Sequence, residues 1–398
     1  MKKIKIIEAT VELGLGGTEY VIQLYSKYLN KEHFEVTVVG LNGGGERVKF
    51  IEKYGVRVLI LGGDYTRLAT LLSETDVFHW HGAGIMDAQL LATVQANKPK
   101  LVIQTNIFGL YYHSPTYDLI DYDLYVSKMI LIRRMKEDRY FNMDFRKKRK
   151  ALYNPVDVDA MNDHLPTEDE LQQFKKEHQL DGYFIIGRIG RADDNKFDPI
   201  SLYAFAEFVN RVKNARFLIV GVTPKILNYA KALNILDKLV VFENTPDLKQ
   251  LLLYYSAIDI FLAASSMGES FGIVIAEAMN SGIPVVTINT PDRDNAQIEL
   301  VDNGVTGLVV ERHSTKIADA LTFLYQNNEL RYKFGIAAQA KVLREYKADQ
   351  IVASLENLIY RHLQVPYQNK IESLLKDFNI KNLYDYTKRR RNLWNTYG

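Results

Sequence analysis

The sequence predicts an α/β protein built from two Rossmann-like parallel-sheet domains. Three observations carry that expectation. Short apolar runs alternate with helical segments through most of the chain, which is the pattern of parallel βαβ units. The alternation occurs in two separate series. A length of 398 residues is more than one ordinary core accommodates, so two domains are expected.

The first series opens with a strand at Lys3–Ala9, a Gly-rich turn, and a helix from about Thr18 to Leu29. Further strands are expected at Phe34–Val39, Arg57–Leu61, Val77–Trp80, Leu101–Gln104 and Leu124–Val126. The second series runs through Tyr183–Gly187, Arg216–Val220, Leu239–Phe242, Ile260–Ala263, Pro284–Ile288 and Gly307–Val310. Helices at Pro199–Lys213, Leu248–Tyr255 and Thr315–Gln326 separate these strands. The junction falls near Asn154-Pro155-Val156-Asp157 or in the acidic stretch after it. The expected domains are therefore 1–165, 166–345 and a helical tail, 346–398. In that tail Glu345–Leu363 reads as one long amphipathic helix, followed by another.

Composition narrows the function. Apolar residues make up 47% and charged residues 25%, as in a globular protein, and no apolar run is long enough to span a bilayer. There is no Cys, which excludes disulfides and thiolate chemistry and fits a cytoplasmic location. The start of the chain shows no signal-peptide pattern. A net charge of +2 argues against a general nucleic-acid binder. The charge is unevenly placed, however. One basic cluster comprises Arg133, Arg134, Lys136, Arg139 and Arg146–Lys150; the other is Lys388–Arg391, beside Trp394 and Tyr397. Either reads as a solvated face, or as a contact for an anionic partner such as a phosphate-bearing acceptor or the inner membrane leaflet.

The residues that carry chemistry cluster at predicted strand ends. Glu269-Ser-Phe-Gly-Ile-Val-Ile-Ala-Glu277 places two carboxylates eight steps apart, roughly 12 Å if helical. Ser270 is a candidate cap for a helix beginning near Phe271, whose free N–H groups would suit phosphate. The Gly-rich turn Gly14-Leu15-Gly16-Gly17 lets backbone approach an anion, but it fits neither the dinucleotide nor the ATPase phosphate-loop spacing. Gly187-Arg188-Ile189-Gly190-Arg191 through Lys196 sets cations at the carboxyl end of a strand, where α/β ligands bind. His79-Trp80-His81 puts two imidazoles on one strand face; with no third ligand at recognisable spacing, a zinc site is not expected.

Taken in order, these motifs resemble the retaining, nucleotide-sugar-dependent glycosyltransferases of family 4, which have the GT-B fold. The match rests on Glu269–Glu277, Gly282-Ile-Pro-Val-Val286, Asn154-Pro-Val-Asp157 and Gly304-Val-Thr-Gly307. The resemblance implies an interdomain cleft and C-terminal helices that cross back to the first domain. It assigns Arg191 and Lys196 to the donor diphosphate, with Gly16 and Gly17 approaching it from the first domain. Glu269 would hold hydroxyls of the transferred sugar. Ser270, Phe271, Gly272 and Ile273 would line phosphate or sugar, and Glu277 would hold the ribose. His81 matches a position near the reacting centre. Arg191 is preferred to Arg188 for its five-step spacing to Lys196. The loop Asn289–Gln297 departs from the family's short Gly-rich form.

The implied reaction is transfer of a sugar from a nucleoside diphosphate, UDP favoured and GDP allowed, to a glycan, lipid-linked or protein-linked hydroxyl. Configuration is retained, and no cofactor or metal is expected. The Asp-x-Asp triplets Asp121/Asp123, Asp157/Asp159 and Asp292/Asp294 are read as loop or junction residues; only the third follows a strand. The two Glu fit a glycosidase pair poorly, because that pair spans a single bond. The rivals are a nucleotide-sugar epimerase of the same overall fold and a non-catalytic nucleotide-sugar-binding subunit.

Overall fold

The computed structural model describes residues 2–111, 115–138, 147–366 and 370–395; Arg139, Arg146 and Tyr397 lie outside them. The chain divides into two compact units, 1–155 with 346–383, and 156–345 with 384–398.

In the first unit β1 (Ile4–Thr10), α1 (Gly17–Tyr28), β2 (Phe34–Gly40), α2 (Arg47–Glu52), β3 (Arg57–Ile60) and α3 (Tyr65–Ser73) are followed by β4 (Val77–Gly82), α4 (Ala88–Ala96), β5 (Leu101–Asn106), β6 (Tyr122–Tyr125), α5 (Lys128–Glu137) and β7 (Arg149–Ala151). The second unit holds α6 (Val158–Asp163), α7 (Glu168–Glu177), β8 (Phe184–Ile189), α8 (Ile200–Arg211), β9 (Ala215–Val220), α9 (Pro224–Ala232), β10 (Leu239–Phe242) and α10 (Leu248–Ser256). It continues with β11 (Ile260–Ala263), α11 (Ile273–Asn280), β12 (Val285–Asn289), α12 (Gln297–Leu300), β13 (Gly307–Glu311), α13 (Ser314–Gln326) and α14 (Asn328–Glu345). The chain then returns to the first unit with α15 (Ala348–Leu363) and β14 (Lys376–Asp377) and ends in α16 (Ile380–Arg391).

The first sheet has the order β14-β7-β6-β5-β4-β1-β2-β3, all parallel except β14; the second has the order β10-β9-β8-β11-β12-β13, all parallel. Such strands are covered on both faces, and β5 and β8 are buried along their whole length. Strand order reverses between β1 and β4 in one sheet and between β8 and β11 in the other. Ligands of open α/β sheets bind outside the strand ends at such reversals.

The junction falls at 155/156, within the expected Asn154-Pro155-Val156-Asp157 stretch, so the opening segment of the first unit is shorter than 1–165. Val158 and Met161 of α6 are buried, and the Met161 sulfur accepts from Asn280 within the second unit. Two expectations are corrected. The helix expected at Glu345–Leu363 breaks at Tyr346, whose buried ring packs edge-on against Tyr153, and restarts at Ala348. The basic clusters are largely spent on internal contacts. Arg149 is a fully buried strand residue, paired with Asp138 and stacked over the Tyr111 and Tyr117 rings. Arg134 pairs with Glu137 and Asp138, and Arg389 with Asp302. The Trp394 ring packs on Phe323, and its backbone N–H donates to the Val309 carbonyl. Among the described residues no helix is long and apolar enough to cross a membrane.

Candidate functional site

The loops that follow β8 and β11 meet at the reversal point of the second sheet. Lys196 Nζ lies 3.2 Å from Glu269 Oε2, and both side chains are partly open, at 26% and 20% exposure. Arg188, at the end of β8, is buried under this pair. Its guanidinium stacks on the Phe197 ring at 4.2 Å and donates to the Lys196 and Gly221 carbonyls. Burial lowers its pKa to about 10 against the opposing pull of Glu269 and Asp193. Arg188 therefore lies in the field of Glu269. Arg191 is exposed and has no ion-pair partner among the described residues.

Glu269 is held by its backbone. Its N–H donates to Gln297 Oε1 at 3.1 Å, and its carbonyl accepts from the Ala296 N–H at 2.8 Å. Gln297 is itself fixed, donating to the Ile288 carbonyl and to Thr290 Oγ1. Ser270 donates to Asp294, so it is not the helix cap. The cap of α11 is Gly272, at φ +102°, and Ile273 and Val274 open the helix with N–H groups that have no intrahelical acceptor. Gly268, at φ +73°, could not carry a side chain, because one would run into the Asp294 carbonyl. The long polar loop Asn289–Gln297 is thus the clamp that sets Glu269, and the third Asp-x-Asp triplet has Asp294 engaged in it. Phe271 is buried before the helix. Glu277, on α11, is buried and accepts from Tyr255 Oη at 2.9 Å.

In the first unit Gly16 caps α1 and Gly17 is its first residue. The Glu19 carboxylate occupies the space that a side chain on Gly16 would need. His81 is buried at the end of β4. Its Nε2 lies 2.6 Å from Glu8 Oε2, and His79 Nδ1 lies 2.9 Å from the same oxygen without hydrogen-bond alignment. His79 Nε2 is 2.8 Å from Thr105 Oγ1. A third potential metal donor therefore does stand beside the two histidines, contrary to the sequence expectation. Register explains it: Glu8 sits directly opposite His79 across β1 and β4, strands far apart in sequence. Burial opposes the Glu8 charge, but the two imidazoles outweigh it and hold its carboxyl at about 2. Burial and the neighbouring His79 push His81 down to about 4 against the pull of Glu8.

Glu8, Gln297 and Tyr255 were missed from sequence. Only Glu8 left a signal there, as a carboxylate inside an otherwise apolar strand.

Residues 169–341 match the family described as glycosyl transferases group 1. The chain is 29% identical over 207 residues to N-acetyl-alpha-D-glucosaminyl L-malate synthase of Bacillus anthracis, covering 51% of this chain and 52% of that protein. It is 32% identical over 173 residues to phosphatidyl-myo-inositol mannosyltransferase of Mycobacterium leprae, covering 42% and 45%. The chain thus spans about half the length of these relatives. Among solved structures, a glycosyltransferase from Rickettsia africae aligns with TM-score 0.76 at 17% identity, over 92% of this chain and 100% of that one. The Anabaena HepE protein in complex with UDP and glucose aligns with TM-score 0.73 at 16% identity, over 90% and 100%. Both likenesses identify the fold, which is GT-B.

Proposed function

We propose that this chain is a glycosyltransferase of the group 1 kind, transferring a sugar from a nucleoside diphosphate to an acceptor hydroxyl, with retention of configuration and without a metal ion. One observation carries the reading: Lys196, backed by Arg188, is held against Glu269 at the reversal point of the second sheet, beside the free first turn of α11. Fixed cations and oriented N–H groups suit a diphosphate whose charge grows as it leaves. Glu269 would hold hydroxyls of the transferred sugar, and Glu277 the ribose. Phe271, Gly272 and Ile273 would line the donor from the backbone. Ser270 would act through Asp294, holding the loop. The departing phosphate oxygen would take the acceptor proton, so neither carboxylate need act as a base. Arg191 would add long-range attraction for the donor. The Gly16–Gly17 turn and His81 belong to the unit that would bind the acceptor.

A UDP-sugar donor is favoured because the Anabaena structure holds UDP and glucose. The acceptor would be a glycan or a lipid- or protein-linked hydroxyl, handled in the cytoplasm or at the inner membrane face. An epimerase is the second reading: a putative UDP-N-acetylglucosamine 2-epimerase of Listeria monocytogenes aligns with TM-score 0.62.

The test is a thermal-shift screen against UDP-, GDP-, ADP- and CMP-sugars, followed by transfer assays with and without EDTA. A ligand of the native state raises Tm by mass action, so the right donor should stand out. Transfer should survive EDTA; a strict divalent requirement would sink the metal-free mechanism. Interconversion of nucleotide sugars without an acceptor would favour the epimerase.

A further inference from the structure

The second basic cluster, in the last turn of α16, grips the segment that sets Glu269. Arg389 donates to the Ile298 carbonyl of α12 at 3.1 Å and pairs with Asp302 at 2.5 Å. The other Asp302 oxygen is held at 2.9 Å by Lys341 of α14, a buried ammonium. Arg390 reaches the Pro291 carbonyl, in the loop between β12 and α12. All of these residues belong to the second unit. Little apolar surface fixes α16: among its described side chains only Tyr386 is buried. Directional contacts therefore decide where its last turn sits.

One of those contacts leads to Glu269. The Arg390 carbonyl accepts from Asn289 Nδ2 at 3.2 Å. Asn289 ends β12, and its Oδ1 accepts from Asn295 Nδ2 at 2.8 Å. Asn295 Oδ1 in turn accepts from Gln297 Nε2 at 3.1 Å. Gln297 Oε1 then takes the Glu269 N–H. Three carboxamides thus form a relay, each donating toward α16 and accepting from the side of Glu269. Hydrogen bonds aligned in this way polarise and strengthen one another. Asn295 and Gln297 are buried, so a broken link would leave a polar atom with no water to replace it.

We propose that the end of α16 positions Glu269. Arg389 anchors the helix on Asp302, the Arg390 carbonyl fixes Asn289, and the amide relay carries that hold to the Glu269 backbone. Asn289 is a positioning residue of the donor site, and the C-terminal tail is part of its support. This rests on the transferase reading above, in which Glu269 holds hydroxyls of the transferred sugar. The effect should fall on the sugar, because neither Lys196 nor the first turn of α11 is a link in the relay.

The experiment compares Asn289→Ala with the wild type in the full chain. Hydrogen exchange of the peptide containing Glu269 should quicken about tenfold or more as its backbone is released. For the UDP-sugar donor kcat/KM should fall roughly 10- to 100-fold, as a misplaced positioning group costs. UDP itself, which lacks the sugar, should bind as before. Asn289→Ala and Gln297→Ala combined should lose no more than the larger single loss, since both cut one relay. Additive losses would overturn the proposal. So would wild-type exchange at Glu269 in Asn289→Ala, wild-type kcat/KM, or an equal loss of UDP affinity. If Asn289→Ala does not fold, Arg389→Ala decides, because it removes a partly exposed side chain. Faster exchange at Glu269, partly restored in Arg389→Lys, supports the proposal, and wild-type exchange overturns it. The same exchange pattern in a chain that transfers no sugar from any donor would overturn the transferase reading and leave the relay standing.

Discussion

The two sheets reverse strand order at equivalent points, yet they place opposite electrostatics there. At β8 and β11 the charges stand in partly open loops and pair loosely, as Lys196 does with Glu269 at 3.2 Å. At β1 and β4 they are sealed in the sheet, and Glu8 serves two imidazoles with no solvent to help. Water screens the first arrangement, so its cations can exchange Glu269 for an incoming anion at small cost. The second cannot rearrange cheaply, because every charge it holds depends on a buried partner. The same topological position thus carries an open, screened pair in one sheet and a sealed, mutually dependent cluster in the other.

The contrast can be broken at its strongest point first. Lys196→Ala should reduce turnover by about 100-fold or more with the fold unchanged, as expected for loss of a preorganised charge; steady-state kinetics beside a circular dichroism melt would show it. Near-normal turnover would mean that the open site does not receive a phosphate.

The sealed site makes a prediction about acid. His81 is held at about 4 in the folded chain, against an ordinary 6.5. Between those values the unfolded chain binds a proton that the folded chain refuses. Stability from this group is therefore complete above pH 6.5 and is lost as the pH falls toward 4. Glu8, held at about 2 against an ordinary 4.5, extends the loss below that range. Urea unfolding at stepped pH should show a loss of about 1–3 kcal/mol over the His81 window. His81→Asn should flatten that slope, and an unaltered slope would place the titrating group elsewhere.

Two smaller effects sharpen the open site. Glu277→Ala should weaken binding of the free nucleoside diphosphate about tenfold, the worth of one buried charged hydrogen bond. Unchanged affinity by calorimetry would remove the ribose role. Arg191→Ala should change kcat/KM by about threefold or less, because an exposed charge is screened. A loss as large as that of Lys196→Ala would favour Arg191 over Arg188 as the phosphate partner.

Much of this architecture was legible beforehand, for identifiable reasons. The strands of both series stand out because buried parallel strands are continuous apolar runs. Lys196 and Glu269 are legible as chemistry because charged residues directly follow such runs. What escaped was cross-chain pairing. Glu8 and His79 are opposed only once β1 lies beside β4. Gln297 reaches the Glu269 N–H from 28 residues away. Arg149 looked like surface charge because composition does not reveal that Asp138 and two tyrosine rings surround it. Ser270 had the composition of a cap, but the backbone turns through Gly272 before the helix starts.

The short strand β14 has a consequence for how far the chain can be cut back. It lies antiparallel along β7, at the outer margin of the eight-stranded sheet, with Lys150 paired to Asp377. Unpaired strand margins are templates on which separate molecules add to one another. The two residues of β14 thus cover part of the margin of β7, and trimming the chain before Lys376 would leave that margin unpaired.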